Sequence, residues 1–299
     1  MTTRLIAVSH PRWPLRSLAR SMLLVLVLMP LSALAVVPFQ LDQVDPEDIR
    51  IQSRQAQDRV DGSVQVALAV PYQQLRALLM DRAALCDVAV LHFNIKGCVY
   101  MDQQDQALLR VFGGKKAYQA PDEAGFFDLV YKRTEDTDQS ASVQLYGDDG
   151  PFGTSEYLIR FHASQLDEQH SQVEISFSVN YTQMTHWAQR MYFSSLGRHR
   201  IGFTVTGHDA RGQPQYVRGM RAMVERNAMR LFLALQVALE APQETDTEES
   251  RLRRWFALTE QYPLQLREMA LEEYLDSKQR EIRNQRLLQA GMGDGSVDS

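Results

Sequence analysis

The chain has 299 residues, 44% of them apolar and 23% charged, with a formal net charge of −5. That composition suits a globular protein of one large domain with room for an appendage. The acidic excess argues against nucleic acid as a partner, because phosphate binding rests on clustered Lys and Arg.

The first 35 residues have the three parts of a secretory signal peptide. Arg4, Arg12, Arg16 and Arg20 give a basic start with no acid before Asp42. Met22–Leu28 is an apolar run, and Ala33-Leu34-Ala35 is an A-x-A cleavage site. The apolar stretch is too short for a spanning helix of about 20 residues and is interrupted by Pro30, so no permanent membrane span is expected. The expected location is periplasmic or secreted. Removal of the four arginines would take the net charge from −5 to −9.

Residues 36–57 read as a polar lead-in with a short helix. Val60 to Val70 then alternates as a half-buried strand. Pro71 opens a helix carrying Leu75, Leu78, Leu79 and Ala83. Between Ala89 and Tyr181 the pattern predicts an antiparallel meander of strands. Residues 182–200 read as a helix with Trp187, Tyr192 and Phe193 among its apolar positions, and Ile201–Thr206 as a strand ended by a hairpin tip at 207–212.

Val217 to Glu240 is the longest helix candidate. At ~100° per residue, Met220, Met223, Val224, Asn227, Ala228, Leu231, Leu235 and Ala238 share a broad face. Arg218, Glu225, Gln236 and Glu240 fall opposite, where solvent is expected, and Glu225 reads as a surface partner for Arg221. Residues 242–250 form an acidic linker, 251–289 a charged helical appendage broken at Tyr262-Pro263, and 290–299 a disordered Gly- and Ser-rich tail.

The order of strand, helix, meander and long helix points to an α+β fold, a curved antiparallel sheet around a long helix. Asp61-Gly62-Ser63-Val64 with the Pro71 helix start, Gly150-Pro151-Phe152-Gly153-Thr154-Ser155-Glu156-Tyr157, and the long helix together resemble the START-like superfamily. This is the helix-grip fold that includes polyketide cyclase-like and Bet v 1-like proteins. The resemblance covers roughly Asp58 to Leu239, with Ser155-Glu156 where many such domains have Arg-Asp. The sequence is also similar to a group of exported proteobacterial proteins. The resemblance implies an apolar ligand, lipid or similar, held between sheet and helix.

Asn227 is the sharpest site candidate, an amide at the centre of an apolar face. Buried amides need a hydrogen-bonding partner, either a ligand head group or the protein's own backbone. Arg221 at the edge of that face is a candidate for a carboxylate or phosphate. Met220, Val224 and Leu231 on the helix, with Tyr157 and Trp187, complete the expected ligand lining. Cys86 and Cys98 are the only cysteines; an oxidising compartment favours pairing them, with two buried thiols as the alternative. No metal or cofactor motif and no catalytic signature is present: there is no HExxH, no GxSxG, and Gly113-Gly114-Lys115-Lys116 lacks P-loop spacing and reads as a hairpin tip. Three readings follow. The first is an exported lipid-binding protein. The second is a cyclase- or hydrolase-like enzyme on the same scaffold using Asn227, Arg221 or Tyr157. The third is a protein-interaction module acting through the C-terminal helices.

Overall fold

The computed structural model describes residues 48–56, 58–149, 154–181, 200–240 and 247–294, all within the compact unit Pro38–Ser299. The expected signal peptide, the 182–200 helix with Trp187 and most of the acidic linker lie outside the described residues.

The sheet has eight antiparallel strands in the order β1-β2-β8-β7-β6-β5-β4-β3. They are β1 (Arg50–Gln55), β2 (Arg59–Leu68), β3 (Ile95–Gln103), β4 (Gln106–Gly113), β5 (Gly125–Asp136), β6 (Ser140–Asp149), β7 (Thr154–Gln165) and β8 (Ser171–Tyr181). β3 to β8 form the expected meander. The alternation that predicts these strands sorts their two faces: Val143, Leu145, Ile159, Phe161, Val173 and Ile175 are buried, while neighbours such as Gln144, Arg160 and Glu174 are not. β1 is a correction. Residues 50–55 pair along β2 from Arg50↔Gln65 to Gln55↔Val60, where a lead-in helix is expected from sequence. Their polarity is that of an edge strand, whose outer side faces water.

Two short helices carry the chain from β2 to β3 at the opposite edge of the sheet. α1 (Tyr72–Leu79) starts directly after Pro71, and α2 (Arg82–Ala89) is capped by Asp81, whose carboxylate accepts from Ala83 N at 2.8 Å. Cys86 on α2 and Cys98 on β3 form a disulfide. Gly113-Gly114-Lys115-Lys116 is not a hairpin tip; it opens the long connection from β4 to β5.

β9 (Ile201–His208) and β10 (Pro214–Arg218) make a separate hairpin, followed by the long helix α3 (Gly219–Leu239). α3 lies against β2 so closely that a Cβ on Gly62 would sit 2.6 Å from Val224 Cγ2. Only glycine lets helix and strand meet at that distance.

The appendage comprises α4 (Glu248–Glu260), α5 (Pro263–Leu266) and α6 (Leu271–Asp294). Thr247 and Ser250 form a reciprocal cap at the start of α4. The helix continues to Asp294, past the point where a disordered tail is expected. The appendage packs back onto the domain. Trp255 is fully buried, stacks on Tyr274 with ring centroids 5.2 Å apart, and donates from Nε1 to the Arg230 carbonyl. This packing explains a second correction. Glu225 and Gln236 are buried, and Arg226 and Arg230 with them, because β1, β9 and the appendage cover the side of α3 that a two-layer fold would leave in water.

α6 also closes the β3 edge. Cys98 N donates to Gln285 Oε1, and Gln289 both accepts from Tyr100 N and donates to Tyr100 O. Two glutamines one helical turn apart thus satisfy backbone groups that a neighbouring strand would otherwise take.

Candidate ligand groove

The concave face of the sheet is not buried evenly. At one end of the strands the inward residues are sealed: Ala141, Val143, Ala163, Val173 and Ile175 are 0% exposed. At the other end the inward residues keep residual exposure. Tyr131, Leu145, Ile159 and Phe177 form one row across four strands, through the pairs Tyr131↔Leu145, Leu145↔Ile159 and Ile159↔Phe177. Their exposures are 7, 5, 8 and 8%. Tyr157, one row further along, and Phe127, two rows along, are half-buried, while Leu129 between Phe127 and Tyr131 is 1% exposed. Residual exposure is thus concentrated in this row and at Phe127 and Tyr157, while Val179 and Tyr181, further along β8, are 3% exposed.

α3 shows a matching asymmetry. Met223, Asn227 and Leu231 are half-buried, whereas Ala222, Val224, Glu225, Arg226, Ala228, Met229 and Arg230 are buried. The three recur every four residues and lie within a roughly 80° arc. Helix and sheet therefore each present one partly open stripe within a well-packed structure.

Tyr157 is the polar group on the sheet side. Its ring packs edge-on against Phe127 with centroids 5.7 Å apart, and it touches both apolar clusters of the domain. Burial pushes its hydroxyl pKa up to about 12. It stays protonated, a donor rather than a nucleophile or base at neutral pH. No hydrogen bond to that hydroxyl occurs among the described residues.

Asn227 is the polar group on the helix side. It lies beside His92, three residues beyond α2 and half-buried. Burial, then the charges of Arg230 and Lys278, hold the His92 pKa well below its usual value, and the Asn227 amide works in the opposite direction. His92 Nδ1 accepts from Asn94 N at 3.1 Å, which assigns the ring proton to Nε2.

The structure separates the other sequence-derived residues. Leu231 stays with Asn227 on the half-open stripe. Met220 and Val224 belong to a second small cluster with Val60, Val179 and Tyr181. Arg221 points toward β1, where Nε donates to Ser53 Oγ at 3.0 Å. Met223, on the predicted apolar face of the helix, is half-buried beside Asn227, and Phe127 is a half-buried sheet residue outside the predicted lining. Phe127 alternates with Leu129 and Tyr131, which is the signal that places it on the inward face.

A distinct recess of about 250 Å³ lies on another side of α3, lined by Ile49, Ile51, Phe203, Thr204, Met229 and Tyr262. Among the described residues no helix is long and apolar enough to cross a membrane.

No family model matches the chain, and neither does any curated protein. Solved structures do. The chain is similar to human StAR-related lipid transfer protein 5, at 10% identity over 65% of this chain and 88% of that one, with a TM-score of 0.35. It is similar to a START superfamily protein from Mycobacterium smegmatis, at 14% identity over 46% and 92% of the two chains, with a TM-score of 0.30. Norcoclaurine synthase from Thalictrum flavum, solved with dopamine and hydroxybenzaldehyde, is 7% identical over 50% and 83%, with a TM-score of 0.33.

Proposed function

We propose that the protein is exported and holds an apolar small molecule of the lipid class in the recess between the sheet and α3. The supporting observation is that Tyr157 from the sheet and Met223 from the helix are both half-buried against one small apolar cluster. Tyr131, Leu145, Ile159 and Phe177 on β5–β8 keep 5–8% exposure, and Met223, Asn227 and Leu231 on α3 are half-buried. Such a lining, mostly apolar with few polar groups, is the common composition of small-molecule sites. Tyr157 and Asn227 supply the polar ends. In this reading Tyr157 donates a hydrogen bond to the ligand, and Asn227 orients it.

The enzyme reading has less support, because burial raises the Tyr157 pKa away from the range useful for acid–base work. The interaction-arm reading is also weakened, since Trp255 and Leu266 are spent inside the chain's own core. Export is supported by the leader composition and by the Cys86–Cys98 disulfide, a bond favoured in oxidising compartments.

The test is solvent extraction of the purified protein followed by mass spectrometry, with displacement of a fluorescent fatty acid as the binding assay. A stoichiometric apolar molecule, and at least tenfold weaker probe binding in Leu231→Trp, are expected. A protein that yields no apolar molecule and binds no probe overturns the proposal.

A further inference from the structure

The recess of about 250 Å³ beside α3 is built by four stretches of chain. Ile49 and Ile51 come from the entry into β1, Phe203 and Thr204 from β9, Met229 from α3, and Tyr262 from the corner between α4 and α5. Met229 is 0% exposed, and the other five are half-buried around it. The Phe203 and Tyr262 rings meet edge to face with centroids 5.5 Å apart.

The walls of this recess are pinned to α3. Glu225 accepts from the backbone of Phe203 and Thr204 on β9 and from Ser53 on β1. Arg221 donates to the same Ser53. β9 is pressed onto the helix at Gly202, where a Cβ would lie 2.6 Å from Val217 Cγ1 and 3.0 Å from Ala222 Cα. The recess is the space left between an edge strand and a hairpin that are tied to one helix.

Size and polarity define what such a space takes. An apolar cavity of about 150 Å³ takes up benzene, and pockets for drug-sized ligands start at about 300 Å³. The volume here falls between the two and suits one or two fused rings. Two hydroxyl residues are part of the lining. Thr204 Oγ1 donates its one hydrogen to Glu225 Oε1 at 2.7 Å, which leaves it an acceptor for anything else. The Tyr262 hydroxyl has no hydrogen bond among the described residues. Burial pushes its pKa up, so it stays protonated. The Glu225 carboxylate behind Thr204 disfavours an anion. We propose that this recess binds a neutral one- or two-ring aromatic molecule carrying a hydroxyl or N–H donor, which gives its hydrogen to Thr204 and packs its ring against Phe203 and Tyr262. The site is separate from the groove between sheet and α3 and stands whether or not that groove is filled.

The probe is indole, titrated calorimetrically into the purified protein, with 1-methylindole, which has no N–H, as its control. Saturable indole binding is expected, with 1-methylindole about fivefold weaker or more. Ile49→Trp fills the recess and should weaken indole binding about tenfold or more, its fold checked by circular dichroism. Leu231→Trp, which blocks the groove, should leave indole binding unchanged. A second readout needs no variant: in nuclear magnetic resonance spectra of the wild type, indole should shift the Phe203 and Thr204 amide signals and the Met229 methyl signal, and leave those of Ile159 and Phe177 in place. The proposal is overturned if indole shows no saturable binding, if 1-methylindole binds as tightly, if a folded Ile49→Trp binds indole as the wild type does, or if the shifts fall on Ile159 and Phe177 instead.

Discussion

Replacement of Glu225 tests how the hairpin and edge strand are attached to the long helix. Its carboxylate is 0% exposed. Oε2 accepts from Phe203 N at 2.6 Å and Thr204 N at 3.0 Å. Oε1 accepts from Thr204 Oγ1 at 2.7 Å and from Ser53 Oγ. One side chain thus joins β1, β9 and α3. Glu225→Ala deletes all four bonds and leaves two backbone N–H groups facing a void. At about 1–3 kcal/mol for each buried donor left unpaired, the loss is about 3–5 kcal/mol. Glu225→Gln keeps one carbonyl oxygen for the two N–H groups and turns its NH₂ toward the two hydroxyls, which can rotate to accept. Its loss is about 1 kcal/mol. Urea denaturation reads both, as a fall in midpoint with unchanged slope. Equal losses below about 1 kcal/mol for both variants would refute the account of Glu225 as the joint between the three elements.

Gly62→Ala should destabilise by about 1–3 kcal/mol in the same assay, because the new methyl meets Val224 at 2.6 Å and pushes α3 off β2. Joint replacement of Cys86 and Cys98 by Ser should cost about 3 kcal/mol, equal to the effect of reductant on the wild type. Gln285→Leu/Gln289→Leu should speed amide hydrogen exchange at Cys98 and Tyr100 while leaving the β6 and β7 amides protected. A pH series tests the buried trio of Lys96, Lys278 and Glu281. Burial, partly opposed by Glu281, pushes Lys278 down to about 8 from 10.5. The unfolded chain then binds more protons between those values, so this group's contribution makes stability rise with pH from about 8 toward 10.5. Lys278→Met should remove that rise in the urea midpoint; an unchanged pH profile would count against it.

The sheet and the long helix were legible because their signals are periodic. Val173, Ile175, Phe177, Val179 and Tyr181 repeat every second residue, and the strand they predict is β8. β1 was hidden because both ends of its code are weak: Arg50, Gln52, Arg54 and Gln55 are polar, and pairing with β2, not side-chain pattern, makes it a strand. Glu225 was misplaced for a different reason. A helical wheel separates apolar from polar faces, and it assumes that polar means solvent. On α3 the polar side meets β9, β1 and the appendage, whose N–H groups and charges satisfy it. The same blindness covers Arg226, Arg230 and Glu268, whose meeting depends on where α5 and α6 fold back. Asn227 and Leu231 lie half-buried on the predicted apolar face, while Arg221, six residues before Asn227, donates to Ser53 on β1.

The glutamines of α6 have a consequence for how the chain is made. Gln285 and the strand edge it covers at Cys98 are separated by 187 residues. During synthesis, β3 emerges long before the helix that shields it. Throughout that interval its outward N–H and C=O groups are open to any other strand. An arrested or truncated chain lacking α6 should therefore be the species that associates edge to edge, although its core strands are intact. The cover of the β3 edge thus forms only once α6 has docked.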